Sequence, residues 1–278
     1  MARTFTVAAA QMACELGDPA ANLAKITEMA REAAAHGATA VCFPELAIPG
    51  YSPTTIAERY YEISEPVPGP STEALCACAR DNGIYIVAGL SERSAVPGKL
   101  YNSQVACAPD GTIASLYRKI HVWGLEKLWW QESCSCEFAT FDLPSCRAGT
   151  MICYDTNFPE TARCLALLGA QVIFDSAAWR VQEADIWDLA TRARALDNHA
   201  YLVCANLVGV EGETTLNGHS RVIGPRGIVL SELDGSKEGV AYGEVDLDAT
   251  ARESAQSLAY LKDRRPEAYG LIADTRDR

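Results

Sequence analysis

Cys153 ends the apolar run Gly149-Thr-Met-Ile152, and the chain then breaks at Tyr154-Asp155-Thr156-Asn157-Phe158 before a helix signal at Pro159. A thiol at the end of a strand and ahead of a helix stands where α/β proteins assemble active sites. Peptide N–H groups freed at such a turn can face a developing oxyanion. A thiol nucleophile also needs a base and a partner for that oxyanion. Three charged residues stand in comparable places: Glu45 after Val41-Cys-Phe43, Lys119 after Ser115-Leu-Tyr117, and Glu126 a short way beyond Lys119. If the strands carrying Glu45 and Cys153 are neighbours, both side chains emerge at one edge of one sheet. A carboxylate beside a thiol can take its proton, and a lysine between two carboxylates stays protonated and can steady an anion.

Each residue alone also fits a plainer role. Cys153 is one of eleven cysteines, and free cysteine is usually buried and inert. Glu45 fits a loop-start acid, Lys119 beside Arg118 fits a solvated strand end, and Glu126 with Lys127 fits a surface pair of little energetic consequence. The chemical reading rests on finding all of them together, in order, at strand ends.

The elements that must position them are legible as an alternating grammar. Residues 5–10 read as a strand, and Asp18-Pro19 supplies an N-cap followed by proline at the first helical position. Leu23, Ile26, Met29, Ala30 and Ala33 share one helical face that Gly37 closes. Residues 39–43 form a second apolar run, Ser71 caps a helix reaching Asn82 and Gly83, and residues 84–89 read as a strand. Pro109-Asp110-Gly111 between two strand patterns is a hairpin signal. After a less regular, aromatic-rich segment at 118–144 the pattern repeats: strand 147–153, helix 159–168, strand 171–175, helix 183–198 and strand 201–206. A second hairpin follows around Pro225-Arg-Gly227, then a last strand at 240–245 and a polar segment from Ser257. Alternating strand–helix units predict an α/β fold, the hairpins predict mixed sheets, and two helix-covered sheets suit the length. No linker divides the chain, so residues 1–278 read as one domain, with residues from about 257 as a C-terminal tail or interface arm.

Composition excludes several classes of function. Lys plus Arg is 24 against 36 for Asp plus Glu, a net charge of −12, which opposes nucleic-acid binding. No apolar run reaches membrane-spanning length, and Met-Ala-Arg-Thr-Phe-Thr-Val leads directly into a strand pattern, so the expected location is cytoplasmic. There the cysteines are expected to be thiols. Cys76-Ala-Cys78 and Cys134-Ser-Cys136 lack the spacing of common zinc sites, and His36, His121, His199 and His219 have no metal-ligand spacing, so no metal is expected.

The ordered motifs resemble the nitrilase superfamily of carbon–nitrogen hydrolases, in its amidase and N-carbamoyl-amide hydrolase branch. The matching pieces are Phe43-Pro-Glu-Leu46, Tyr117-Arg-Lys-Ile-His121 running on to Glu126, and Ile152-Cys-Tyr-Asp155 followed by Phe158-Pro-Glu160. Fainter echoes are Tyr101-Asn102, Ser176-Ala-Ala-Trp179, Ala205-Asn206, Gly218-His-Ser220 and Gly224-Pro-Arg-Gly227. The resemblance implies a four-layer α-β-β-α sandwich with two mixed sheets, no metal or organic cofactor, a small-molecule substrate and a homodimer or higher homo-oligomer. Carried over, Cys153 is the nucleophile, Glu45 the general base and Lys119 an oxyanion partner together with the Tyr154 N–H, while Glu126 orients Lys119. The implied reaction is hydrolysis of a small amide or N-carbamoyl compound through a thioester. The alternatives are a nitrilase using the same cysteine and a non-catalytic relative acting as a binding module.

Relatives that hydrolyse N-carbamoyl-D-amino acids place arginines just after the cysteine, whereas this chain has Thr156 and Asn157, pointing to a neutral, hydrogen-bonding pocket. Arg180 is the alternative anion clamp, and Tyr51, Tyr101 and Trp179 are candidate pocket walls. Trp123, Trp129 and Trp130 either cap a sheet edge or narrow the pocket. The run 131–136 departs from the family's Pro-Gly turn there.

Overall fold

The structure, a computed structural model, describes residues 3–133 and 137–274. In the first half of the chain, β1 (Thr4–Gln11) leads through α1 (Pro19–Ala35) to β2 (Ala38–Cys42). A short α2 (Tyr60–Ile63) and α3 (Pro70–Asn82) lead to β3 (Tyr85–Arg93), followed by the hairpin of β4 (Leu100–Cys107) and β5 (Ile113–Arg118). The second half opens with β6 (Thr140–Asp142) and β7 (Arg147–Ile152), then alternates α4 (Pro159–Leu167), β8 (Ala170–Ala177), α5 (Ala184–Asn198) and β9 (Tyr201–Asn206). Two hairpins follow, β10 (Val208–Glu211) with β11 (Thr214–Asn217) and β12 (Arg221–Ile223) with β13 (Val229–Glu232). The described chain closes with β14 (Gly239–Asp246), α6 (Leu247–Gln256) and α7 (Tyr260–Asp263).

The strands form two six-stranded sheets, ordered β14-β1-β2-β3-β4-β5 and β13-β12-β9-β8-β7-β6, with β10-β11 as a separate ribbon. In each sheet the three central strands are parallel and the hairpin strands antiparallel. The last strand returns to the start of the chain, pairing β14 antiparallel to β1 from Thr4–Asp246 to Gln11–Gly239.

Alternation along each strand explains the layers. Val7 and Ala9 of β1 point to one face and Ala8 and Ala10 to the other. The first pair joins Ala40, Cys42 and Val87 in a core shared with Val172, Phe174, Val203 and Val222 of the opposite sheet. The second pair packs beneath α1 and α3, through Ile26, Met29, Ala30, Leu75 and Ala79. On the far side, Met151, Ile173, Leu202 and Ile223 pack beneath Ala162 and Leu165 of α4 and Trp187 and Ala195 of α5. The result is the expected α-β-β-α sandwich.

Several local expectations need correction. α3 is capped by Gly69, not Ser71: Pro70 takes the first helical position, and the Gly69 N–H donates to Thr72 Oγ1 at 2.8 Å. The β10–β11 ribbon has no counterpart in the sequence reading, because its short run is broken by glycines and polar residues. Glu45 and Cys153 lie on different sheets, at the ends of β2 and β7. Each βαβ unit feeds its own sheet, so the two residues meet across the sandwich. The rim where they meet is stitched: Glu45 N–H donates to Ala177 O at 3.3 Å, and Ser176 Oγ donates to Phe43 O at 2.6 Å. The Cys134-Ser-Cys136 pair lies outside the described residues, as does the shape of the loop it closes.

Gly89 of β3 sets how deeply the Glu45 turn can seat. A Cβ there would lie 2.4 Å from Leu46 N, 2.7 Å from Pro44 O and 2.8 Å from Glu45 Cα, all main-chain atoms that cannot rotate away. Gly89→Ala is therefore expected to displace the Glu45 turn, destabilising the fold by about 1–3 kcal/mol and lowering kcat/KM by more than the loss of folded protein explains. Thermal melts beside kinetics scaled to folded protein check this; a variant with wild-type turnover would contradict it.

Candidate active site

Three charged side chains meet in a space almost without water. Glu45, Lys119 and Glu126 are 0, 1 and 0% exposed. Lys119 follows β5 directly and its N–H donates to Asn102 O at 2.8 Å, which turns the side chain inward. Its neighbour Arg118 points the other way, to buried Glu92 at 2.5 Å and over the Tyr101 ring. Strand alternation thus separates the two cations, one structural and one in the site. The Lys119 Nζ lies 2.6 Å from Glu45 Oε1 and 2.9 and 2.8 Å from the two oxygens of Glu126.

Glu126 is no surface acid. It sits in a 3₁₀ turn at Gly124–Leu128 and accepts the Trp123 N–H at 3.1 Å and the Tyr51 hydroxyl at 2.8 Å. Lys127 faces solvent and pairs instead with Glu132 at 3.5 Å. Glu45 Oε1 also accepts Asn102 Nδ2 at 2.7 Å, while its Oε2 is buried without a hydrogen-bond partner among the described residues.

Electrostatics follow from two carboxylates and one ammonium taken out of water. Burial pushes Glu45 up to about 7, with Lys119 opposing the rise and Glu126 adding to it. Burial alone would lower Lys119, but Glu126 and Glu45 outweigh it, so the amine is held well above its ordinary value and stays charged. Burial also raises the Cys153 thiol well above its ordinary value, and the Glu45 charge raises it further. The resting thiol is therefore protonated and needs a base to become a nucleophile.

Cys153 sits at a strained turn. Its φ is +48°, in the left-handed region that ordinary residues avoid, and it begins the 3₁₀ turn Cys153–Asn157. Two buried carboxylates pin that turn. Asp175 of β8 accepts the Cys153 N–H at 3.0 Å and the Thr156 hydroxyl at 2.7 Å. Asp155 accepts the Ile152 N–H at 3.1 Å and the Tyr117 hydroxyl at 2.7 Å.

A cleft of about 600 Å³, including its mouth, opens on Cys153 and Glu126, with Tyr51, Tyr154, Asn157 and Trp179 in its wall. Arg180 and Glu183 stand at its edge as a mutual ion pair, with Arg180 Nε 2.9 Å from Glu183 and the guanidinium 4.5 Å from the Trp123 ring. The tryptophans therefore divide. Trp123 belongs to the cleft, whereas Trp130 is buried on Tyr60 and Trp129 is tied to Pro53 O at 2.7 Å. Thr156 points into the fold toward Asp175 rather than into the cleft, so only Asn157 of that pair lines the cleft. Tyr101 is absent from the lining; its neighbour Asn102 reaches Glu45 instead.

Sequence reasoning missed Asn102, Asp155, Asp175 and Glu183 as supports. A signal existed for Asp175, an acid inside the apolar strand Val172-Ile-Phe-Asp175, since a buried charge needs partners. Asn102 offered only its place in the faint Tyr101-Asn102 echo.

A four-layer α/β sandwich with a strained thiol, a buried acid and a buried lysine at the rim of both sheets defines a class, the cysteine-dependent hydrolases of acyl compounds. A sequence model described as "Carbon-nitrogen hydrolase" matches residues 6–253. The chain is 38% identical to a nitrilase of Pyrococcus abyssi, over 95% of this chain and 98% of that one. It is 34% identical to human omega-amidase NIT2, over 90 and 91%. Among solved structures, an amidase of Nesterenkonia sp. AN1 superposes with a TM-score of 0.84 at 27% identity, covering 96% of this chain and 99% of that one. A variant of that amidase carries the acetamide moiety of fluoroacetamide covalently at its active-site cysteine. The chain belongs to the carbon–nitrogen hydrolase family.

Buried carboxyls give a pH signature. Burial pushes Asp175, like Glu45, up to about 7, against ordinary values of 3.8 and 4.5. Between those limits the folded chain binds more protons than the unfolded one, so stability falls as pH rises. The thermal midpoint is expected to be higher at pH 6 than at pH 8, by several degrees. A midpoint that climbs over that interval would show that these carboxyls are ionised in the fold without penalty.

Proposed function

We propose that the protein hydrolyses small, neutral amides through a thioester on Cys153. The observation that carries this is the Lys119 ammonium held 2.6 Å from Glu45, whose second oxygen is buried without a partner among the described residues and whose charge acts on the Cys153 thiol. Glu45 takes the thiol proton as sulfur attacks the carbonyl carbon. The resulting oxyanion is met by Lys119 and the Tyr154 N–H, fixed donors that act in a water-poor site. As the tetrahedral intermediate collapses, Glu45 returns the proton to the leaving nitrogen, and ammonia or an amine departs. Glu45 next takes a proton from water, whose oxygen attacks the thioester. Collapse releases the acid and returns the proton to sulfur. Glu126 keeps Lys119 aimed throughout, with Asn157, Trp179 and Tyr51 contacting the rest of the substrate.

The preference for neutral amides rests on the cleft edge. The charge of Arg180 is already answered by Glu183, leaving Asn157 and the aromatic rings as the main contacts. The small-amide adduct on the Nesterenkonia amidase agrees with that chemistry. Nitrile hydrolysis is the second reading, favoured by the name given to the Pyrococcus relative. Ammonia release from matched amide and nitrile pairs separates the two.

The protein is further inferred to be one domain over residues 1–278 that acts in the cytoplasm as a homodimer, with residues from about 257 reaching the partner. Support comes from exposed apolar side chains on or beside α4 and α5, namely Leu167, Leu168, Leu189 (72% exposed) and Leu196, and from exposed Leu271 and Ile272 in the C-terminal segment. The cysteines described are free thiols, as a reducing compartment would keep them. The charge of −12 argues against nucleic acid as a partner. No described helix is long and apolar enough to cross a membrane.

Cys153→Ala is expected to fold normally and lose turnover by at least about a thousandfold, the scale on which removing a nucleophile acts. Wild-type protein quenched in acid during turnover should carry the acyl mass on Cys153. Near-normal activity in the alanine variant would sink the mechanism. Because Glu45 must be ionised to act, the acid limb of kcat/KM should turn near pH 7. A profile flat from pH 5.5 to 8 would remove Glu45 as the base.

A further inference from the structure

The β10–β11 ribbon grips both sides of the cleft. On one side, Asn217 N–H donates to Trp179 O at 2.8 Å, and Leu216 bridges Arg180. On the other, Glu211, 1% exposed at the end of β10, reaches the loop that carries Tyr51. Its Oε2 accepts the Tyr51 N–H at 2.5 Å and its Oε1 accepts the Cys14 N–H at 3.2 Å. The ribbon tip is seated tightly as well. Gly212 has φ +61°, and a Cβ on it would lie 2.3 Å from Thr55 Oγ1 and 2.6 Å from Ser52 Oγ.

These contacts form a continuous chain. Glu211 holds the Tyr51 main chain, the Tyr51 hydroxyl donates to Glu126 Oε1 at 2.8 Å, and both Glu126 oxygens hold the Lys119 ammonium. Glu211 is not among the residues lining the cleft. A carboxylate buried at this depth is costly unless its acceptors are used, and here they are spent on two main-chain donors rather than on a cation.

We propose that Glu211 is a positioning residue for the hydrolysis: it fixes the Tyr51 main chain so that the phenol stays on Glu126 and Glu126 stays on Lys119. The proposal rests on the assignment of Glu126 as the group that aims Lys119. Glu211 acts at a distance, through a side chain that itself borders the cleft. Its substitution should therefore alter the rate of acylation more than the affinity for a small amide.

The test is a double-mutant cycle with a small primary amide, scaled to the number of reactive Cys153 thiols so that misfolded protein drops out. In Glu211→Gln the side-chain amide turns a donor toward one of the two N–H groups. Its kcat is expected to fall about tenfold with KM changed less than about twofold, the scale of one misplaced charge-assisted hydrogen bond. Tyr51→Phe should show a similar fall in kcat. The double variant should be no slower than the slower single one, because both break the same chain. Thermal stability should fall further in Glu211→Gln than in Tyr51→Phe, since of the two residues only Glu211 holds the Cys14 N–H. Independent, multiplying losses in kcat would overturn the proposal, as would wild-type kcat in either single variant. If the glutamine variant does not fold, Glu211→Asp, one methylene too short to reach Tyr51, replaces it in the same cycle. Failure of the underlying mechanism shows separately, as turnover in Cys153→Ala.

Discussion

A single ammonium between two carboxylates governs this structure. Lys119 Nζ sits within 2.9 Å of Glu45 and Glu126, and none of the three side chains reaches water. Taking such charges from solvent is expensive, and their mutual attraction repays it only with good geometry and satisfied lone pairs. Asn102, Tyr51 and the Trp123 N–H supply those partners. The arrangement is poor as a stabilising device and good as a chemical one. It keeps a lysine charged in a dry site, and it leaves one carboxylate oxygen of Glu45 buried without a partner among the described residues.

The rest of the fold reads as the means of holding that cluster at the right place. Glu45 and Lys119 follow the ends of strands, so a ladder fixes their main chains on one side, whereas Glu126 is held within a 3₁₀ turn. The two sheets are bound at the rim by contacts that involve main-chain atoms, among them Glu45 N–H to Ala177 O and Ser176 Oγ to Phe43 O. Gly89 lets the Glu45 turn press against β3, where any side chain would intrude. Asp175 and Asp155 hold the strained Cys153 turn from below, spending buried charge on main-chain geometry. The pattern recurs at Glu211, so five buried acids around this site hold peptide N–H groups or a lysine.

Legibility in the sequence depended on range. The strand and helix alternation was readable because side-chain period is a local property: β1, α1, β7, α4 and β9 fall close to where their patterns put them. The capping of α3 was misread by two residues because Ser71 is a good cap by type, while Pro70 fixes the first helical position. The β10–β11 ribbon was invisible because its stability comes from docking on the 51–55 loop and the Trp179 segment rather than from its own composition. The orientation of Thr156 is not legible in the sequence for a related reason: which side of a turn a side chain takes is set by the partner waiting there, in this case Asp175.

The sequence by itself determined the chemistry on offer and the order of its parts: a thiol, two acids and a lysine at strand ends, within motifs shared with carbon–nitrogen hydrolases. Residue type and strand termination are local, and a chain carries them openly. Only the tertiary structure decided that Glu45 and Cys153 approach from different sheets, that Arg180 is already paired with Glu183, and that Tyr51, Asn102 and Glu211 serve the cluster. Those facts depend on which residues far apart in the chain become neighbours. Packing two sheets face to face sets that, because it brings the ends of β2, β5, β7 and β8 to one rim and excludes water from the space between them.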